Sequence, residues 1–92
     1  MLLSTEVQEQ VLEEVEISTE HNLVVFNDEV NTFDHVIETL IDVCEHSTVQ
    51  AEQCTHIIHN NGKCTVKTGE FEYMKELRQL ICNAGISAEV TE

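Results

Sequence analysis

Basic residues are scarce in this 92-residue chain, which has 4 Lys and Arg against 18 Asp and Glu and a formal net charge of -14. A protein that binds nucleic acid needs lysine and arginine to neutralise backbone phosphates, so the composition excludes that class of partner. Anionic membrane surfaces are excluded for the same electrostatic reason. The charge also favours a monomer, because copies that carry a large like charge repel each other.

Long hydrophobic runs are absent as well. No apolar stretch approaches the roughly 20 residues that a transmembrane helix requires. Residues 1–6 lack the basic and apolar segments of a secretory signal, so we expect a cytoplasmic protein. A chain of 92 residues is long enough for one small domain and excludes a large multi-domain enzyme.

Motifs of catalysis and cofactor binding are also missing. The chain has no GxSxG motif and no nucleophile signature around any cysteine. Its three glycines, Gly62, Gly69 and Gly85, are too far apart to form a glycine-rich phosphate loop. The four cysteines show no CxxC spacing, and we interpret them as reduced, apolar core residues. We therefore expect neither an enzyme nor a cofactor.

A metal site is an alternative interpretation of one short segment. Cys54, His56 and His59 lie close in sequence, and the two histidines share part of a helix face. A single histidine pair at this spacing, without a second matched pair, is weak support for a metal site. His56 is better explained as a solvated surface residue, so we expect no bound metal.

Hydrophobic periodicity predicts an α+β domain in the order β-α-α-β-α-β, a small three-stranded antiparallel sheet covered by three helices. Phe33, Val36, Leu40 and Cys44 recur at helical spacing, whereas residues 86–90 alternate as in a half-buried strand. The predicted elements are a strand over 23–26, a helix from 33 to about 45 capped by Asn31 or Thr32, a helix capped by Ser47 that ends at 60–62, a strand over 64–67, a helix introduced by Thr68-Gly69 and closed by Gly85, and a strand over 86–90.

Composition changes near residue 21. Residues 1–20 contain six glutamates and no aromatic residue. We therefore expect residues 1–21 to form a flexible acidic tail and residues 22–92 to form the folded domain. A helix docked on a partner is the alternative for the tail, because Val7, Val11 and Val15 share a helical face.

Polar residues follow the first predicted strand and end the second predicted helix. Asn27, Asp28 and Glu29 come directly after the strand, and His59 lies in the last helical turn. Amide, carboxylate and neutral imidazole groups are all hydrogen-bond acceptors, a set that suits an ammonium group. The competing interpretation is an Asx turn at Asn27 and Asp28, with His59 capping the helix C-terminus.

These segments resemble two motifs of the ClpS family, the substrate adaptors of bacterial AAA+ Clp proteases. Residues 23–29, Leu-Val-Val-Phe-Asn-Asp-Glu, match the family's apolar strand and Asn-Asp-acidic turn. Residues 59–63, His-Asn-Asn-Gly-Lys, match its His-x-x-Gly-Lys segment. Two predicted helices separate the motifs, as in the family, and the resemblance covers about residues 22–92.

The resemblance implies an adaptor that binds proteins with a free, bulky hydrophobic N-terminal residue, an N-degron. Delivery to a ClpA-like or ClpC-like unfoldase for degradation is implied as the next step. In such a protein Asn27 and His59 would hydrogen-bond the substrate's α-ammonium, and Asp28 and Glu29 would supply negative charge. The alternative is a ClpS-like interaction module that docks on an unfoldase and modulates it without recognising N-degrons.

The resemblance also implies a pocket for the substrate's first side chain. Its expected lining residues are Asn31, Phe33, Thr55, Ile58 and Ala88. The family commonly has methionine at the positions of Phe33 and Thr55. This difference reshapes the pocket, so the preference among Leu, Phe, Tyr and Trp stays open.

Overall fold

The computed structural model describes residues 20–92, which form three helices and one three-stranded sheet. The predicted fold class and element order are confirmed. Residues 1–19 of the predicted flexible tail lie outside the described residues. The elements are β1 (Glu20–Phe26), α1 (Phe33–Cys44), α2 (Thr48–Asn61), β2 (Lys63–Glu70), α3 (Phe71–Asn83) and β3 (Ala88–Thr91).

β1 is the central strand of the sheet and pairs antiparallel with β2 on one side and β3 on the other. Leu23 and Val25 on β1 are fully buried. Val25 lies opposite Cys64 on β2 and Ala88 on β3, so all three side chains share one face of the sheet. A register shift beside Leu23 leaves Val66 as an extra residue of β2, in the form of a β-bulge.

Two strands are longer than the sequence predicted. β1 begins at Glu20 instead of residue 23, because Glu20 and His21 pair with Glu70 and Gly69. The folded domain therefore includes two residues that we had assigned to the tail. β2 continues to Glu70, so Thr68 and Gly69 belong to a strand and do not introduce α3. Main-chain pairing with β1 outweighs the turn-forming tendency of these two residues.

The helix ends explain how the two predicted motifs meet. The side chains of Thr32 and Ser47 cap α1 and α2 by accepting from the N–H groups of His35 and Gln50, each at 3.1 Å, which confirms both predicted caps. Gly62 ends α2 in the left-handed region at φ 95°. Because β2 starts at the next residue, the end of α2 lies beside the sheet.

The core lies between the helices and one face of the sheet. The buried core residues are Leu23, Val25, Val36, Leu40, Cys44, Ala51, Ile58, Val66, Met74, Leu77, Ile81, Ile86 and Ala88.

None of the helices within residues 20–92 has the length and apolar character needed to cross a membrane.

Candidate functional site

Main-chain hydrogen bonds join the end of β1 to two other parts of the fold. The Phe26 N–H donates to the Ser87 carbonyl at 3.0 Å, and the Asn27 N–H donates to the Gly62 carbonyl at 2.8 Å. The turn over residues 27–31 is therefore held against the C-terminal end of α2 and the segment before β3. This packing brings together the two motifs, whose residues Asn27 and His59 are 32 positions apart in the sequence.

A cavity of about 390 Å³ lies between this turn, the start of α1 and the last turns of α2. All the predicted site residues except Ala88 line it, and Thr32 and Val36 line it as well. Val36 lies three residues after Phe33 on α1, so helical spacing was a signal for it that the sequence prediction did not use. The cavity is lined by Asn27, Asp28, Glu29, Asn31, Thr32, Phe33, Val36, Thr55, Ile58 and His59.

Ala88 lies in the core instead of the cavity. Its side chain is 4% exposed and sits opposite Val25 on the helix-facing side of the sheet. The Ala88 carbonyl accepts from Nε of Arg78 on α3 at 3.0 Å, which also directs this part of β3 toward α3. Our assignment of Ala88 to the pocket wall therefore does not agree with the structure.

The Asp28 carboxylate organises the turn. Its Oδ1 accepts from the N–H groups of Val30 and Asn31, each at 2.9 Å, and its Oδ2 accepts from Nδ2 of Asn31 at 2.8 Å. The Asn31 amide also donates to the Gly85 carbonyl at 2.9 Å. Hydrogen bonds from the backbone of Asn31 and then of Val30 hold the pKa of Asp28 below its usual range.

Asp28 thus forms the Asx turn that was one of the two interpretations of its position. Both carboxylate oxygens of Asp28 already accept hydrogen bonds within the turn. Asp28 therefore contributes negative charge to the cavity, and direct hydrogen bonds to a ligand are left to other lining residues. Asn31 is the residue that links this turn to the loop at Gly85. Its amide therefore has a positioning role in addition to lining the cavity.

Three other acceptors at the cavity are available. The side chains of Asn27, Glu29 and His59 are exposed and make no hydrogen bond or ion pair with other residues in the range 20–92. The end of α2 is closed by the Gly62 N–H, which donates to the Ile58 carbonyl at 2.9 Å. The imidazole of His59 is therefore free to accept from a ligand.

Aromatic rings close one side of the cavity. Phe33 is half-buried, and its ring meets that of His56 edge-on with 4.8 Å between centroids. The ring of His59 lies 6.2 Å from that of Phe33, nearly perpendicular to it. Phe33 therefore forms an apolar wall directly beside the polar group that ends α2.

The opposite wall is apolar although it contains a threonine. Thr55 is buried, and its hydroxyl donates to the Ala51 carbonyl at 2.7 Å within α2. Ile58, one turn nearer the end of the helix, is 3% exposed. Since the Thr55 hydroxyl is satisfied inside the helix, this wall offers a ligand hydrocarbon contacts.

The metal-binding alternative gains no support from the fold. No group of three His, Cys, Asp or Glu side chains in the described part of the chain is arranged to hold a metal ion. Cys54 packs against the core, whereas His56 is exposed beside Phe33.

We predict that Asp28→Asn lowers the free energy of unfolding by about 1 kcal/mol at pH 7, after allowance for solvent screening of a partly exposed carboxylate. The folded-state pKa of Asp28 is below its ordinary value of 3.8. Its stabilising contribution is therefore present above pH 3.8 and is lost as the pH falls through the lowered folded-state pKa. Urea unfolding at a series of pH values measures this difference between wild type and variant.

The matched control is Glu29→Gln, which removes the same charge from a neighbour that makes no bond within residues 20–92. We expect this variant to keep the wild-type free energy of unfolding. An equal change in both variants would contradict the role of Asp28 in the turn, because the hydrogen bonds that only Asp28 makes would then have no effect of their own on stability.

The chain is similar to several known proteins. The family model described as ATP-dependent Clp protease adaptor protein ClpS matches residues 16–89. The ATP-dependent Clp protease adapter protein ClpS of Campylobacter jejuni strain 81-176 is 30% identical over 91 residues, covering 90% of this chain and 95% of that protein. Human E3 ubiquitin-protein ligase UBR2 is 31% identical over 70 residues, covering 76% of this chain. This chain spans only 4% of the length of that ligase.

A solved structure has the same fold. It is Agrobacterium tumefaciens ClpS2 bound to L-phenylalaninamide, with a TM-score of 0.69 and 19% sequence identity. The match covers 78% of this chain and 94% of that one.

Proposed function

Because the chain belongs to the ClpS family of ATP-dependent Clp protease adaptor proteins, we propose that it binds proteins with a free, bulky hydrophobic N-terminal residue and delivers them to a Clp AAA+ unfoldase. Members of this family are adaptors and not enzymes, so the chain binds its substrate while its partner hydrolyses ATP. The proposed setting is the cytoplasm, with a ClpA-like or ClpC-like unfoldase as the partner.

The observation that carries the proposal is a set of available acceptors beside an apolar wall. Asn27, Glu29 and His59 have acceptor atoms at the cavity, and their side chains make no hydrogen bond within residues 20–92. An α-ammonium group has three N–H donors and one positive charge. Glu29 and the nearby Asp28 supply the negative charge that a partly desolvated cation requires.

The apolar wall accounts for the first side chain of the substrate. An N-terminal residue carries its side chain one carbon away from its amine, so the two groups need adjacent polar and apolar surfaces. Phe33 and Ile58 supply the apolar surface next to His59. The ligand named for the A. tumefaciens structure, phenylalaninamide, has the same combination of a free α-amine and an aromatic side chain.

Fluorescence anisotropy with short labelled peptides tests the proposal. We expect peptides that begin with Leu, Phe or Trp to bind, and the same peptides to lose binding when acetylated, because acetylation removes the positive charge and two of the N–H donors. A peptide that begins with Arg serves as the control for nonspecific attraction to an acidic protein. Equal binding of free and acetylated peptides would overturn the proposal.

The second candidate function is an interaction module that docks on an unfoldase without recognising N-degrons. Exposed apolar side chains on α3 favour it, with Phe71 41%, Tyr73 42% and Leu80 51% exposed. This function predicts unfoldase binding that Asn27→Ala leaves unchanged, together with no binding of any N-terminal peptide. A pull-down of purified unfoldase, performed beside the anisotropy measurement, separates the two candidates.

The Thr55 wall predicts a change in substrate preference. We expect Thr55→Leu to weaken binding of a Trp peptide by about tenfold and to affect a Leu peptide less, because the added carbons take up space in the pocket. Anisotropy titrations of both peptides measure this ratio.

Thr55→Val is the matched control. It keeps the volume and removes the hydroxyl, which bonds to the Ala51 carbonyl within the helix. We expect it to leave both affinities within about threefold of wild type, since no ligand contact is lost. A loss of peptide binding in this control would indicate that the hydroxyl contacts the ligand.

A further inference from the structure

The Asn31 side chain lines the cavity, and both of its amide hydrogens are already used. Its Nδ2 donates to Oδ2 of Asp28 at 2.8 Å and to the Gly85 carbonyl at 2.9 Å. Both partners are acceptors, so the atom that contacts them must be the nitrogen, and the orientation of the amide is fixed. The amide oxygen Oδ1 makes no hydrogen bond with another residue in the range 20–92. It is therefore the one polar side-chain atom of Asn31 that is left for a ligand.

This free acceptor belongs to a residue that joins the two surfaces of the cavity. Asn31 comes two residues after Glu29, one of the proposed acceptors for the amine, and two before Phe33, which begins α1 and forms part of the apolar wall. The other polar groups beside that wall are the hydroxyls of Thr32 and Thr55, and each is engaged in a hydrogen bond of its own helix. Oδ1 of Asn31 is therefore the acceptor that is available to a substrate side chain resting on the wall.

We propose that Oδ1 of Asn31 selects substrates whose first side chain is aromatic and carries a hydrogen-bond donor, namely the phenolic O–H of tyrosine or the indole N–H of tryptophan. The inference rests on the proposed function, because it concerns the side chain of the residue whose amine is bound. The ring contacts the apolar wall, and the donor at its edge bonds to Oδ1. A phenylalanine or leucine side chain covers the same wall but leaves Oδ1 without a partner.

Matched peptides test the proposal by fluorescence anisotropy. Two pairs differ in the donor at the first residue: Tyr against Phe, and Trp against its benzothiophene analogue, in which sulfur replaces the indole N–H. We expect the donor-bearing member of each pair to bind about twofold to tenfold more tightly, the range that one neutral hydrogen bond gives. Equal affinities within both pairs would overturn the proposal and leave the proposed function intact. Failure of every free peptide to bind would overturn the proposed function and this inference with it.

Asn31→Ala assigns the acceptor to this residue. The variant loses Oδ1 together with the two Nδ2 hydrogen bonds, so every peptide is expected to bind more weakly, and the ratio of Tyr to Phe affinity should fall to about one. A merely structural role of Asn31 would weaken both peptides and leave the ratio unchanged. Asn31→Asp keeps a carboxyl oxygen in place of Oδ1 and should retain the ratio. Asn83→Ala, the same change on an exposed residue of α3 outside the cavity, is the matched control and should keep both affinities.

A structure of the wild-type chain in complex with a Tyr peptide decides the case in which Asn31→Ala binds neither peptide. We expect the phenolic oxygen to lie about 2.5 to 3.0 Å from Oδ1 of Asn31. A phenolic oxygen bonded to another group, or an α-amine bonded to Oδ1, would overturn the proposal. A preference for Tyr over Phe that persists in Asn31→Ala would overturn it as well.

Discussion

His59→Ala is expected to weaken the binding of a free Leu peptide by about tenfold to a hundredfold. A hydrogen bond to a charged group contributes about 1.5 to 3 kcal/mol, which corresponds to this range of affinity. His59 lies at the cavity, and its imidazole makes no hydrogen bond within residues 20–92, so its loss removes an acceptor that the ligand would use. Fluorescence anisotropy with the labelled peptide gives the two dissociation constants.

His56→Ala is the matched control for this prediction. His56 is exposed on the same helix and contacts the Phe33 ring, but it does not line the cavity. We expect its substitution to change the affinity by less than about threefold. If both variants bound as tightly as wild type, His59 would not be an acceptor for the amine. If both lost binding equally, the aromatic packing on Phe33 would be the cause.

The fold was predictable where the signal is local. The apolar residues of α1 recur at helical spacing, and the caps Thr32 and Ser47 lie directly before their helices. Gly62 adopts the left-handed conformation that ends α2, as a glycine after two asparagines indicates. These features depend on residues within one or two helical turns, so the sequence alone places them correctly.

Strand ends were not predictable in the same way. Glu20 and His21 are polar, and they belong to β1 because β2 continues beside them as far as Glu70. Thr68 and Gly69 have the composition of a turn, yet their main chain pairs with β1. The length of a strand is set by its partner, which lies far away in the sequence, so local composition gives only its apolar centre.

The candidate site shows the same limit. The two motifs predicted that Asn27, Asp28 and Glu29 lie near His59, and all four line the cavity. The family resemblance predicted the other lining residues, and all of those except Ala88 line it as well.

Asp28 holds the turn partly through the Asn31 side chain, which donates to its carboxylate. The same Asn31 amide also donates to the carbonyl of Gly85, 54 residues further along the chain. No local pattern distinguishes a carboxylate that holds a turn from one that faces a ligand.

Ile81→Ala is expected to have the largest effect on stability, a loss of about 2 to 5 kcal/mol in the free energy of unfolding. Ile81 is fully buried on α3, between the sheet and the other helices. Its carbonyl also accepts from the N–H groups of Ala84 at 3.0 Å and Ile86 at 3.3 Å, where α3 turns toward β3. A domain of this size has only about 5 to 10 kcal/mol in total, so the variant loses a large part of its stability.

Leu80→Ala is the matched control for this prediction. It changes the helix propensity of α3 much as Ile81→Ala does, but removes little buried apolar surface. Leu80 is the adjacent residue of α3, carries a side chain of similar size and is 51% exposed. Since little apolar area is lost from the core, we expect a change of less than about 1 kcal/mol. Urea unfolding of both variants, followed by circular dichroism, measures the difference. Equal losses in the two variants would contradict this prediction, because they would mean that α3 does not pack against the sheet through Ile81.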